Sequence, residues 1–439
     1  MFKSYDAAYE YLRCCTDYEK MAKFNYSQST FNIQRMARLM NCVNNPHHHL
    51  HTLHVAGTKG KGSTAIMLAS ILRTAGYRVG LFTSPHVVEI MDRIQVNGIT
   101  ITQADFTRMM NQLAPFLKQL KPTFFEIMTA SALLYFRKQK VDWTIMEVGL
   151  GGRLDATNII KPDISIITRI DFDHMDKLGY TLKAIAREKA GIIKKHIPVV
   201  TIRQDPAVNQ LFRETARNQQ APINFVTRKQ TKKQLTQAGI KLPFLGEHQI
   251  DNLGLALKAI QILKDNQSIR ITNSTIKQGI SRISLPGRIE LISRNPLVIL
   301  DSAHNPVSIS ALTDTLKKTF LSKSPRPGII MVFSIARDKE VKKILNLLLS
   351  VASTMIFTRS PNPRMCHPKE LLRYLKNQNN HTPVILEENP VKAFALAVNL
   401  AGPKDLVVVT GSFSLSGEIR SFLTKHKYLT PYGRTHQKT

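Results

Sequence analysis

The stretch HVAGTKGKGS, from His54 to Ser63, leaves a short apolar run and enters a helical pattern, as a phosphate-holding loop must. Gly57, Gly60 and Gly62 let backbone N–H groups crowd around phosphate oxygens that a Cβ would keep at a distance. Lys61 adds a positive charge for β- and γ-phosphates, and a helix beginning near Ser63 turns its positive end toward them. The spacing departs from the usual phosphate-loop string, because Gly62 stands between the lysine and the hydroxyl residue. The candidate nucleotide contacts are therefore Gly57, Thr58, Lys59, Gly60, Lys61, Gly62 and Ser63.

Further residues able to do chemistry follow at intervals. Ser84 opens a loop in LFTSPH, which reads as a simple turn or as a hydroxyl offered to a magnesium ion held by phosphates. In EVGLGGRLDATN, Glu147 closes an apolar run, where an acid is costly unless it meets a cation; a solvated loop acid is the plainer alternative. Asp155 and Asn158 follow in the same glycine-rich loop. DFDHMD supplies Asp171, Asp173, His174 and Asp176, although histidine is an uncommon magnesium ligand. AREKAG carries Glu188 and Lys189, and GEHQIDN places His248, Gln249 and Asn252 at a helix start. Arg288, Asp301, His304 and Asn305 come later. His47, His48, His49, His51 and His54 fit no zinc spacing and read as loop and strand residues.

The elements that must position these residues show in the periodicity. LHTLHVAG, RVGLFTS, DWTIMEVGL, DISIITRI and PVVTIR alternate with helical stretches, a pattern of parallel strands joined by crossover helices. The strand ends at Gly57, Ser84, Glu147 and Ile170 are expected along one sheet edge, where open α/β sheets bind ligands. A second alternating set runs from LVILDSAHNP through DLVVVTGS, and SLPGRIELISRNP between the sets suits a linker. Two helical patterns occupy the first 45 or so residues. The expected architecture is α/β, with a phosphate-loop ATPase-like domain over residues 1–290 and a smaller Rossmann-like domain over 291–439. A hinge falls near residue 290, with a cleft between domains for a joining reaction. A basic tail from about residue 425 reads as disordered.

Composition narrows the class. With 439 residues, 43% hydrophobic and 21% charged, the chain has the makeup of a globular protein of two or three domains. Neither a signal peptide nor a membrane span is legible, so a cytoplasmic location and no membrane partner are expected. Four scattered cysteines suit a reducing compartment. Lys and Arg outnumber Asp and Glu by 61 to 31, a net charge of +30. The bases are dispersed and lack an interleaved aromatic platform, which favours polyanionic small substrates over nucleic acid.

HVAGTKGKGS, LFTSPH, EVGLGGRLDATN, DFDH, IAREKAGIIK, GEHQIDN, LPGRIE, DSAHNP and VTGS, in this order, resemble the folylpolyglutamate synthase and dihydrofolate synthase family of the Mur ligase superfamily. The resemblance covers essentially the whole chain. It implies an ATP- and magnesium-dependent ligase that joins L-glutamate to dihydropteroate or to folates through an acyl phosphate, and that is more often a monomer than not. Gly60, Lys61, Gly62 and Ser63 would hold ATP phosphates, with Asn252, Arg288 and Asp301 as further ATP contacts. Ser84, Glu147 and His174 would ligate magnesium, and Lys189 would carry a carbamate that orients a second metal, giving two magnesium sites. Lys61, Glu147, His174 and Lys189 are thus the implied catalytic set. Thr123, Leu154, Asp155 and Ala156, and Gln28 from the early QSTF segment, would touch the pterin substrate. His304 receives no role.

One departure stands out, since the family usually has asparagine at the position of Lys59. Two other readings compete. A cell-wall Mur ligase places a uridine-nucleotide domain ahead of the loop, and the ~55 residues here are too few for one. A basic phosphate-loop ATPase stimulated by nucleic acid is the other. The sequence does not choose between dihydropteroate and folates as substrate.

Overall fold

The computed structural model describes residues 1–19, 21, 24–322, 324–375 and 382–426. Contacts divide the chain into two units. The first comprises Met1–His86, Ile90–Leu242 and Gln249–Ile283, and the second comprises Val87–Glu89, Pro243–His248 and the residues from Ser284 onward.

The apolar runs of the first unit become strands β1 (Thr52–Ala56), β2 (Val79–Phe82), β3 (Ile94–Val96), β4 (Ile99–Thr100), β5 (Trp143–Glu147), β6 (Ile164–Ile167), β7 (Val199–Ile202) and β8 (Ile223–Val226). They pair in the order β4-β3-β2-β5-β1-β6-β7-β8. From β2 to β8 every pairing is parallel, and β3 and β4 add an antiparallel edge. Every residue of β1, β2, β5, β6 and β7 is buried. A parallel sheet covered on both faces selects such unbroken apolar runs over alternation.

Strand order explains the site. The chain leaves β1, lays β2 two places away, and later inserts β5 between them, while β6 takes the other flank of β1. The loops after β2, β5, β1 and β6 consequently stand side by side across a point where the strand order reverses, which is where such sheets open a crevice. The β3–β4 hairpin was absent from the expected strands. Asn97 and Gly98 turn it with φ of 52° and 79°, the paired positive values of a tight hairpin turn.

Local signals set the helix ends. Ser4 and Asn32 cap the helices Tyr5–Cys14 and Ile33–Cys42. The second helix starts later than its periodicity suggests, because residues 27–31 close a turn through two bonds to the Ser27 carbonyl. The phosphate-loop helix spans Lys61–Thr74 and begins two residues before Ser63.

The second unit holds β9 (Glu290–Arg294), β10 (Leu297–Leu300), β11 (Ile329–Phe333), β12 (Thr354–Phe357), β13 (Val384–Leu386) and β14 (Leu406–Thr410). Their order is β13-β12-β11-β14-β10-β9, parallel except at β9. The expected linker SLPGRIELISRNP is corrected here: its second half is β9, held against β10 in an antiparallel ladder. Val87 packs within this unit, where a Cβ on Gly417 would come 1.8 Å from the Val87 carbonyl oxygen. The helix Phe413–Lys425 ends the described part of the chain, and most of the expected basic tail, residues 427–439, lies outside the described residues. No helix among the described residues is long and apolar enough to cross a membrane.

Candidate functional site

The phosphate loop is shaped by its glycines. Gly60 caps the helix Lys61–Thr74 with φ of 93°, a conformation that side chains resist. A Cβ there would fall 2.1 Å from Asn252 Oδ1. Asn252, buried on the helix His248–Asp265, thus lies against the loop and is held by its own bond to Gln249 Oε1 at 2.8 Å. The amides of Thr58 and Lys59 both donate to the Arg169 carbonyl, at 2.8 and 3.2 Å. These two amides therefore brace the loop against the segment after β6, and the helix that follows begins at Lys61.

Lys59, the unexpected lysine, pairs with Asp173: Nζ lies 2.6 Å from Oδ2. Thr58 joins the same segment, its hydroxyl donating to the Asp171 carbonyl and accepting from the Asp171 amide, each at 3.2 Å.

Ser84 and Glu147 are brought together because β2 and β5 are neighbours. The Ser84 amide donates to Glu147 Oε2 at 3.1 Å, and Glu147 is 2% exposed at the end of β5. A buried carboxylate beside a hydroxyl is an oxygen donor set suited to magnesium, which takes one or two carboxylates and completes its shell with water and phosphate. Among the described residues no group of three or more His, Cys, Asp or Glu forms a ready metal cage. His174 follows β6 with φ of 49° and is half exposed, its Nε2 3.9 Å from Asp173 Oδ1.

The glycine loop after β5 reaches Lys189. Backbone crowding is severe there, for a Cβ on Gly152 would lie 2.8 Å from the Glu188 carbonyl oxygen and 3.1 Å from Lys189 Cα. Lys189 is buried in the last turn of the helix Leu182–Ala190. Burial, reinforced by the Lys61 charge, pushes its ammonium down to about 7, against the opposing pull of Asp173 and Asp155. Burial thus favours the neutral amine, which is nucleophilic where an ammonium is not.

Asp155, expected at the pterin substrate, is held by its own loop. It is 1% exposed, with Oδ2 accepting from the amides of Gly149 and Leu150 at 3.1 and 3.0 Å. Its Oδ1 accepts from the Thr157 amide and hydroxyl at 2.9 and 2.5 Å. Desolvation raises its pKa, and these bonds pull it back. The Thr157 hydroxyl in turn accepts from His54 Nε2 at 2.9 Å. Burial drives His54 down to about 3, so the neutral ring extends the chain from β1 to the glycine loop. Asp155 thereby shapes the loop, while Leu154 and Ala156 beside it are largely buried.

Thr123 is likewise committed. Its hydroxyl accepts from the Glu126 amide at 3.3 Å and its amide donates to Glu126 Oε2 at 2.7 Å, capping the helix Phe124–Lys138. Gln28 is exposed in the turn before Ile33. Two arginines that the motifs did not single out tie these segments together. Arg35 Nε binds Glu126 Oε2 at 2.8 Å while Nη2 reaches the Thr30 carbonyl at 3.3 Å. Arg93, 1% exposed, makes two bonds to Glu19 at 2.7 and 2.5 Å, donates from Nε to His86 Nδ1 at 3.1 Å, and lies over the Phe124 ring. Nothing local in the sequence marks either guanidinium, because their partners lie far along the chain.

In the second unit, Asp301 is buried with Oδ2 on the Ile289 amide and Oδ1 on the Ala303 amide, at 2.9 and 2.8 Å. Desolvation raises its pKa against those bonds. The Arg288 guanidinium and the His304 ring both face Phe413, at 5.8 and 5.6 Å between centres.

Residues 55–260 match the Mur ligase middle domain, and residues 287–413 match the Mur ligase glutamate ligase domain. The dihydrofolate synthase/folylpolyglutamate synthase of Bacillus subtilis is 35% identical over 412 residues, covering 89% of this chain and 94% of the relative. Among solved structures, Mycobacterium tuberculosis folylpolyglutamate synthase complexed with ADP superposes with a TM-score of 0.79 at 27% identity, covering 93% of this chain and 96% of that one. Escherichia coli FolC in complex with DHPP and ADP gives a TM-score of 0.80 at 27% identity, over 97% and 98% of the two chains. The phosphate loop, the paired Ser84 and Glu147 and the buried Lys189 stand within that shared architecture: the chain belongs to the dihydrofolate synthase/folylpolyglutamate synthase family of the Mur ligases.

Proposed function

We propose that this chain is an ATP-dependent ligase that joins L-glutamate to dihydropteroate, to the glutamate end of reduced folates, or to both. The observation that carries the reading is that the phosphate loop and the Ser84 and Glu147 pair follow neighbouring parallel strands, with Asn252 against Gly60 and Lys189 against the glycine loop after β5. A carboxylate resists amines because its anion is a poor electrophile and oxide a poor leaving group. Its oxygen attacks the γ-phosphorus of ATP, ADP departs, and the acyl phosphate so formed is open to attack. The glutamate amine adds to the acyl carbon, phosphate leaves, and one proton is released as the amide forms.

The residues divide this work. Lys61 and the first-turn amides hold and orient the phosphates, offsetting the charge that builds on the transferring group. Asn252 sets the nucleotide against Gly60. Ser84, Glu147 and His174 would hold magnesium, which would supply positive charge to offset that of the phosphates. Lys189, whose burial favours the neutral amine, is suited to add carbon dioxide at Nζ with release of one proton, the resulting carbamate being an anionic oxygen donor. The Asp155 network keeps the glycine loop in the shape that lets Lys189 approach.

The test is purified protein with ATP, magnesium and glutamate, offered dihydropteroate or tetrahydrofolate separately, with ADP and ligated product followed. ADP should form in step with product only when glutamate and a pterin carboxylate are both present. ATP turnover stimulated by RNA or DNA, with none from glutamate plus dihydropteroate, overturns the proposal.

A further inference from the structure

The phosphate loop and the loop bearing His174 are stitched into one piece, and Lys59 is the stitch that a side-chain charge provides. Backbone bonds from Thr58 and Lys59 to the Arg169 carbonyl make the two segments a short antiparallel bridge. The Thr58 hydroxyl fixes Asp171. Lys59 then reaches past both to Asp173, with the two side chains only 24% and 26% exposed. The other oxygen of Asp173 faces the imidazole of His174. His174 itself sits at φ 49° and ψ 40°, an unfavourable left-handed setting for a residue with a side chain, which surrounding bonds must hold in place. An ammonium paired at 2.6 Å with a largely covered carboxylate is also poorly placed to serve as a phosphate ligand, because any phosphate must displace that carboxylate.

We propose that Lys59 is a positioning residue: through Asp173 it fixes the 171–174 loop to the phosphate loop, presetting His174 for the metal that accompanies the nucleotide. This rests on the ligase reading and on His174 as a magnesium ligand. Asparagine, shorter and uncharged, cannot span to Asp173 in the same way, so this chain anchors its metal-side loop by an ion pair.

Calorimetric titration of the full chain with ADP, once in EDTA and once with magnesium, separates phosphate binding from metal binding. Lys59→Met and Asp173→Asn should each shrink the magnesium-dependent gain in affinity about tenfold, the size expected when a group behind a ligand is lost. Binding of ADP in EDTA should stay within about twofold, the scatter of independent sites. The double variant should be no worse than either single one, and Lys59→Arg should restore the gain. Matching thermal melts show that each variant is folded, and a variant that melts early is replaced by Lys59→Gln. The proposal is overturned if Lys59→Met weakens ADP in EDTA while Asp173→Asn does nothing, which makes Lys59 a phosphate ligand. Independent, multiplying losses in the two variants overturn it as well. A wild-type chain whose ADP affinity gains nothing from magnesium removes the metal reading, and this proposal with it.

Discussion

Gly60 and Gly76 form a matched pair that separates backbone strain from the placement of Asn252. Both have φ of +93°. Around a Cβ on Gly76 nothing lies within 4 Å, whereas on Gly60 it would meet Asn252 Oδ1 at 2.1 Å and Cγ at 2.8 Å. Gly76→Ala therefore costs the backbone term alone, about 1–2 kcal/mol for a left-handed residue carrying a Cβ. Gly60→Ala costs the same and must also displace Asn252 by more than an ångström, breaking its bond to Gln249 for about 1 kcal/mol more. At roughly 2–4 °C per kcal/mol for a unit of this size, both variants should melt lower, with Gly60→Ala the lower of the two. Only Gly60→Ala should weaken ADP, by about tenfold or some 1.4 kcal/mol, because only it moves a group beside the phosphate loop. Scanning calorimetry and ADP titration read the two quantities on the same samples. Equal ADP affinity in Gly60→Ala and wild type, or an equal loss in both variants, refutes the placement of Asn252 at the nucleotide.

The other predictions concern single charges and caps. Lys189 has a folded pKa of about 7, below its ordinary 10.5, so between those values the unfolded chain binds the extra proton and stability rises with pH. Lys189→Met should consequently stabilise the protein most at pH 7 and below, with the gain fading toward pH 10 in carbon dioxide-free buffer; denaturant unfolding across pH checks this, and a gain independent of pH contradicts it. Ligation should be lost in the same variant. Glu147→Gln should abolish ligation while leaving the melting temperature near wild type, and activity retained at saturating magnesium would remove Glu147 from the metal. Thr123→Val should lose about 1 kcal/mol with its helix cap and raise the KM for dihydropteroate, while Thr123→Ser retains both; a valine variant with unchanged melting disproves the capping role.

Much of the fold was legible because its signals are local. Buried parallel strands read as unbroken apolar runs, and each expected run became a strand. β8 was not among the expected strands; of the other misses, the Asn97 and Gly98 turn announces β3 and β4, and β9 carries only the adjacent apolar pair Leu291 and Ile292 among prolines and a glycine. The candidate site was legible in its residue types and less so in their duties. Asp155 was visible as an acid in a glycine loop, yet the amides of Gly149 and Leu150 and the Thr157 hydroxyl decide that its carboxylate holds the loop. Thr123 carried its own capping signal in Glu126, three residues on.

What the sequence determined by itself was the family chemistry: glycines where backbone must approach phosphate, a lysine among them, acids at the ends of apolar runs. These follow from the conformational and solvation preferences of single residues. Tertiary structure alone decided the partners. Inserting β5 between β1 and β2 sets Glu147 beside Ser84, and placing β6 on the far side of β1 sets Asp173 within reach of Lys59. Arg35 with Glu126 and Arg93 with Glu19 are settled in the same way. The energy of an ion pair depends on distance and burial, and both are fixed only when segments remote in sequence are packed side by side.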